Sequence, residues 1–163
     1  MELSVSFSTV VMACLSFLGV YFLIPVVLIG RDFLLIRFFE KYILNEKFWL
    51  DLRIVSLAKA SFNESFFDKP AQMKITDDGI QFFIGDNIVT EKEFHWFEQG
   101  RNMHLNRIDT IDPKIMMRVN VIRWADKYFK LDSKIINQIE EFSRQVYDQE
   151  INSIRTKKSK GTP

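Results

Sequence analysis

Thiol and imidazole chemistry have almost no material in this chain, whose 163 residues include one cysteine, Cys14, and two histidines, His95 and His104. An intramolecular disulfide and a cysteine-based metal site are thereby excluded. Glycines are few, and Gly79, Gly85 and Gly100 stand too far apart to form a phosphate-cradling loop. No serine occupies a Gly-x-Ser-x-Gly turn that would expose a nucleophile. The acidic turns at Asp77-Asp78 and Asp86 lack the alternating oxygen ligands and closing glutamate of a calcium loop, so ordinary turn chemistry explains them. A net charge of +1 excludes the global electrostatics of a nucleic-acid coat or an acidic buffer protein.

Charge is missing altogether from Leu3 to Gly30. Crossing a hydrocarbon layer of about 30 Å takes roughly 20 apolar helical residues. Val10 to Ile29 meets that length. A cleaved signal peptide would carry a basic leading segment and a shorter apolar core, whereas Glu2 is the only charge ahead of this run. Val11-Met12-Ala13-Cys14 resembles a lipoprotein cleavage box, but the residues after Cys14 stay apolar where a mature lipoprotein turns polar. The expectation is an uncleaved anchor. Arg31, Arg37, Lys41 and Lys47 all follow the span, which places the N-terminus outside and the C-terminus in the cytoplasm. A bacterial inner membrane is favoured over an organellar one. Pro25 removes a backbone donor within the span, and Ser16 with Gly19 leaves a small-residue notch.

The segment beyond the span is rich in rings: Phe33, Phe38, Phe39, Tyr42, Phe48 and Trp49. Such density predicts burial, in lipid headgroups or in protein. Residues 31–60 are read as an amphipathic stalk. Residues 31–44 either lie in the interface or continue the anchor helix, and 46–60 form a helix with Phe48, Leu52 and Val55 on one stripe. The helical pattern decays at Asn63, and the connector to Pro70 is expected to tuck Phe66 and Phe67 inward. Short β-rich runs separated by turn residues then predict a β-meander from Met73 to Val89.

Thr90-x-x-Glu93 is a capping box that opens a helix, with Gly100 as its stop. A polar loop is expected from Arg101 to Ile111. Asp112 and Pro113 would start a helix reaching Phe129, and Asp132 would cap a last one carrying the stripe Ile135, Ile139, Phe142 and Val146. These two helices read as a hairpin, followed by a disordered basic tail. The resulting fold class is α+β and mostly helical, with one N-terminal transmembrane helix. Its domains are an anchor (1–30), a stalk (31–60), a cytoplasmic α+β domain (61–154) and the tail (155–163).

Glu91, His95 and Glu98 share a helix face by spacing, as a divalent-metal or proton-transfer site would require, although a solvated Glu-His face has the same spacing. Arg118, Arg123, Lys127 and Lys130, interleaved with Trp124 and Tyr128, form a basic aromatic helix that could meet phosphate. The following helix opens DSKIINQIEE, with acids where DNA requires bases, so nucleic acid is disfavoured. The reading that results is a non-catalytic, single-pass accessory or scaffold subunit of a larger membrane assembly, without cofactor or metal. Its interaction residues would be Phe33, Phe38, Phe39, Trp49, Arg123, Trp124, Lys157 and Lys158. Anionic lipid would meet the basic ones. Two competing readings are a membrane-tethered metal-dependent enzyme or sensor centred on His95, and a membrane-tethered nucleic-acid adaptor.

Overall fold

In a computed structural model, residues 6–76, 79–131 and 133–160 are described. The described residues are 80% helical with one small antiparallel sheet. Its N-terminal helical rod runs from Phe7 to Ile43, long and apolar enough to cross a membrane, and none of its most apolar window is buried against the rest of the protein. The rod comprises α1 (Phe7–Leu18), a π turn (Gly19–Leu23), α2 (Ile24–Phe38) and a second π turn (Phe39–Ile43). Pro25 explains the first widened turn: its ring would crowd the carbonyl of Tyr21, four residues earlier, and it has no N–H to offer that oxygen. The second turn ends the rod. Leu44 N–H bonds to Phe39 O at 2.8 Å, and Leu44 itself leaves helical geometry. Residues 31–43 therefore continue the N-terminal apolar helix.

Asn45 starts α3 (Glu46–Ser65) by accepting the Phe48 N–H on its side chain at 3.0 Å. Although it falls inside the stretch read as stalk, α3 is the central packing element. Phe48, Leu52 and Val55 meet Ile115, Val119, Ile122 and Ala125 from one helix and Ile135 and Ile139 from another. The helix also outlasts the expected decay at Asn63. Asn63 donates to the Tyr147 hydroxyl at 3.0 Å, and Glu64 pairs with Arg155 and Lys158, so polar side chains that look like loop residues face a neighbouring helix. Only one of the two connector rings turns inward: Phe66 packs on Phe97, whereas Phe67 is 69% exposed.

The sheet follows the expected meander, with β1 (Ala71–Thr76), β2 (Gly79–Ile84) and β3 (Asn87–Val89) in the order β1-β2-β3. Asp77 and Asp78, at the first turn, lie outside the described residues. The second turn uses Gly85 at φ +62°, where a Cβ would be strained. Phe82 meets the buried Phe94 at 5.1 Å, tying the sheet to the next helix.

That helix, α4 (Glu91–Phe129), is the main departure from expectation. The capping box forms as read, with the Thr90 N–H on Glu93 Oε2 at 2.9 Å and the Glu93 N–H on Thr90 Oγ1 at 3.3 Å. Gly100, however, does not end the helix, and residues 101–111 are not a loop. A Cβ on Gly100 would stand 3.1 Å from the Phe66 ring, so this glycine serves close approach rather than termination. Asp112 does not cap. Its carboxylate holds Lys59 Nζ at 2.9 Å from both oxygens, joining α4 to α3. Pro113 and Asp109, whose carbonyl loses its donor, both sit on the exposed side of α4, where water can reach the ladder.

α4 ends at Lys130, which adopts the left-handed conformation at φ +53°. Asp132, expected to cap the next helix, lies outside the described residues, and Lys134 occupies the N-cap position of α5 (Ile135–Ser159) without a side-chain bond. The expected hairpin of α4 and α5 is consecutive in chain, but α3 supplies the main packing surface for both. The basic tail is ordered helix as far as Ser159. Arg155 and Lys158 reach Glu64 at 3.3 Å, Lys158 also donates to the Glu64 carbonyl at 3.0 Å, and cations suit the negative end of a helix. Gly161 to Pro163 lie outside the described residues.

Candidate functional site

The site is assembled where the rod leaves its charge-free stretch. Arg31 donates to the Phe129 carbonyl at 3.1 Å, bonds Asp32 at 2.7 Å and lies over the Phe129 ring at 5.2 Å. A guanidinium there satisfies an orphan carbonyl and complements the negative end of α4. Further along the rod, Arg118 of α4 reaches the Ile43 carbonyl and Asn45 Oδ1, each at 3.4 Å. These two contacts align the last three turns of α4 antiparallel to residues 31–43. Between them Phe39 is 2% exposed in the core, with Leu35 and Ile43 packed beside it.

The opposite face of the rod is bare. Phe33, Leu34, Phe38 and Tyr42 are 60, 67, 49 and 59% exposed. At about 1.5 Å per residue from Gly30, Phe38 and Tyr42 stand roughly 12 and 18 Å beyond the end of the apolar run. A headgroup layer is only about 5–8 Å thick. A second bare stripe runs down α4 through Met117, Val121, Trp124 and Tyr128, with Trp124 and Tyr128 stacked at 5.3 Å.

Of the residues singled out from sequence, Phe33, Phe38 and Trp124 are thus exposed and grouped near the exit of the rod. Phe39 is consumed by the core, and Trp49 packs edge-on against Phe48 and Phe142. Arg123 sits 3.3 Å from Asn120 and 4.0 Å from Glu140. Lys157 and Lys158 belong to the far end of α5, with Lys158 engaged by Glu64. Sequence reasoning missed Arg31 as a structural residue. Its signal was its position as the first cation after the apolar run, which was used for orientation alone.

Compared with protein-family models, curated proteins and solved structures, the chain gives no match. Function therefore rests on its own geometry.

His95 Nε2 stands 3.7 Å from Glu91 Oε1, with both side chains largely in solvent. Among the described residues no group of three or more His, Cys, Asp or Glu side chains converges as metal ligands would. His104 is more constrained. It packs on Phe66 at 5.6 Å, and its Nδ1 is buried without a hydrogen-bond partner among the described residues. Burial holds its pKa below the ordinary value of 6.5, the positive charge of Arg107 lowers it further, and Glu150 opposes both. The neutral ring is the native form, so the unfolded chain binds the extra proton. Stability from this group is present above about pH 6.5 and is lost as pH falls through the depressed native pKa. Thermal melts between about pH 7.5 and 5.5 should show a falling midpoint that flattens in His104→Gln. An unchanged slope in that variant would exclude His104 as the titrating group.

Proposed function

We propose that this protein is a non-catalytic, single-pass accessory subunit of a larger membrane protein assembly. Its N-terminus lies outside and its folded domain lies in the cytoplasm, in the setting of a bacterial inner membrane. The observation that carries this reading is the bare face of the juxtamembrane helix. Phe38 and Tyr42 are too far past the apolar run for headgroups to cover them, and the domain covers only the opposite side. Apolar surface in that position favours another protein, because rings left in water forgo roughly 25 cal/mol for each Å² that a partner would bury. The small residues Ser16 and Gly19 would let a companion helix approach closely within the membrane.

The test places a photo-crosslinking amino acid at Phe38 or Tyr42 in cells and resolves mild-detergent extracts on native gels. A discrete adduct with one integral membrane protein is expected, together with a native complex that Phe38→Glu/Tyr42→Glu dissolves. A chain that runs alone, forms no adduct and is indifferent to that double substitution would overturn the proposal.

A further inference from the structure

The end of α4 is held at the level where the apolar run stops, because Phe129 accepts a hydrogen bond from Arg31 and lies under its guanidinium. Tyr128 is next to Phe129, and Trp124 lies about 7 Å further up the helix at about 1.5 Å per residue. Both therefore fall within the roughly 5–8 Å of a headgroup layer, whereas Val121 and Met117 stand above it. Trp124 and Tyr128 point away from the core, at 60 and 68% exposure, while Ile122 and Ala125 on the other side are buried. Flat rings with one polar edge suit the boundary between acyl chains and water better than either phase alone.

The charges around them have the matching sign. Lys127, Lys130 and Lys134 have no ion-pair partner among the described residues. Among the described residues the acids at this end are Asp32, paired with Arg31, and Asp126, which accepts the Ser133 hydroxyl at 2.7 Å and keeps its charge, so three lysines leave a positive excess even with Asp132 counted from the sequence.

We propose that the membrane-proximal end of α4 is a second membrane contact, in which Trp124 and Tyr128 seat in the headgroup layer and Lys127, Lys130 and Lys134 meet anionic lipid. This assignment rests on the reading of the N-terminal rod as a membrane anchor. With it, the domain lies against the bilayer at two points, the exit of the rod and the tip of α4, and its bare rod face is presented to neighbours at a fixed angle.

The test uses the full chain in nanodiscs of mixed zwitterionic and anionic lipid. Trp49→Phe/Trp96→Phe leaves Trp124 as the sole tryptophan, and Trp49→Phe/Trp124→Phe leaves Trp96 as the control. Trp124 fluorescence should be quenched by lipids brominated near the top of the acyl chain and protected from aqueous iodide, with Trp96 behaving oppositely. Trp124 open to iodide and indifferent to bromolipid would overturn the proposal. Shielding from both quenchers would overturn it in favour of a protein cover. Should Trp49→Phe unfold the domain, a nitroxide at Tyr128→Cys in a Cys14→Ser chain reads the same depth from its collisions with oxygen and with a water-soluble nickel complex. Extraction of the parent chain from membranes by alkaline carbonate would instead refute the anchor, which separates that failure from failure of the α4 contact.

Discussion

Replacing Phe48 with alanine should cost about 3–5 kcal/mol of folding stability, a large share of the roughly 5–15 kcal/mol available to a domain of this size. Phe48 is 1% exposed and lies in the cluster shared by all three packed helices. Its loss leaves a cavity that α4 and α5 close only in part, so both transfer energy and packing contacts are forfeited. The cavity would also open beside the joint between rod and domain. The Phe48 N–H is held by Asn45, the same side chain that Arg118 of α4 reaches. Urea melts of the full chain in nanodiscs, followed by tryptophan fluorescence, measure the effect, because Trp49 lies edge-on to Phe48 at 5.5 Å. The matched control is Phe67→Ala, expected within about 0.5 kcal/mol of the parent because exposed positions lose little. Equal losses at the two phenylalanines would refute the assigned core.

Those two phenylalanines also show how much of the fold was legible in the sequence. The stripe of Phe48, Leu52 and Val55 has helical period and was readable as a buried face, and the capping box at Thr90 and the turn at Gly85 were equally readable. Local chemistry determines such features. Phe66 and Phe67 are adjacent and chemically equal, and only the arrival of α4 distinguishes them. Gly100 failed for the same reason. A glycine after a helical run is a stop signal in isolation, whereas here it is the notch that admits the Phe66 ring. Asp112-Pro113 imitates a helix start until Lys59 from α3 claims the aspartate. Tail residues Arg155 and Lys158 read as solvent-loving until Glu64 is placed opposite them.

The candidate site divides along the same line. Clustering of aromatic residues after the apolar run was visible, because composition alone marks it. Which rings are free was not visible. Phe38 and Phe39 are neighbours, yet one is half exposed and the other is sealed into the core. The proximity of Trp124 to the end of the apolar run was equally hidden, since it depends on a bond between residues 98 apart in sequence, Arg31 and Phe129.

Asn106→Pro should destabilise the protein by about 3 kcal/mol or more, because a proline inside a continuous helix removes one hydrogen bond and crowds the carbonyl four residues back. Asn106 lies in the stretch that sequence alone reads as a loop, where a surface proline would cost within about 0.5 kcal/mol. The substitution therefore discriminates sharply between a broken and an unbroken α4. Pro113 is tolerated because it and Asp109 lie on the exposed side of α4, where α3 holds the adjacent Asp112 through Lys59. At Asn106 the only side-chain bond among the described residues is local, from the Thr110 hydroxyl at 3.2 Å, and supplies no such brace. Asn106→Ala is the companion variant, expected to match or exceed the parent because alanine is the better helix former. Chemical melts give the energies, and amide exchange shows where the helix opens. Loss of protection should centre on residues 102–106 and spread toward the sheet, which α4 meets where Phe94 packs on Phe82, with Phe97 packed on Phe66. An unbroken α4 spans about 58 Å at about 1.5 Å per residue. It thereby fixes the distal sheet, with the bare Met73, Ile75 and Ile80, relative to the end that Arg31 holds beside the N-terminal rod.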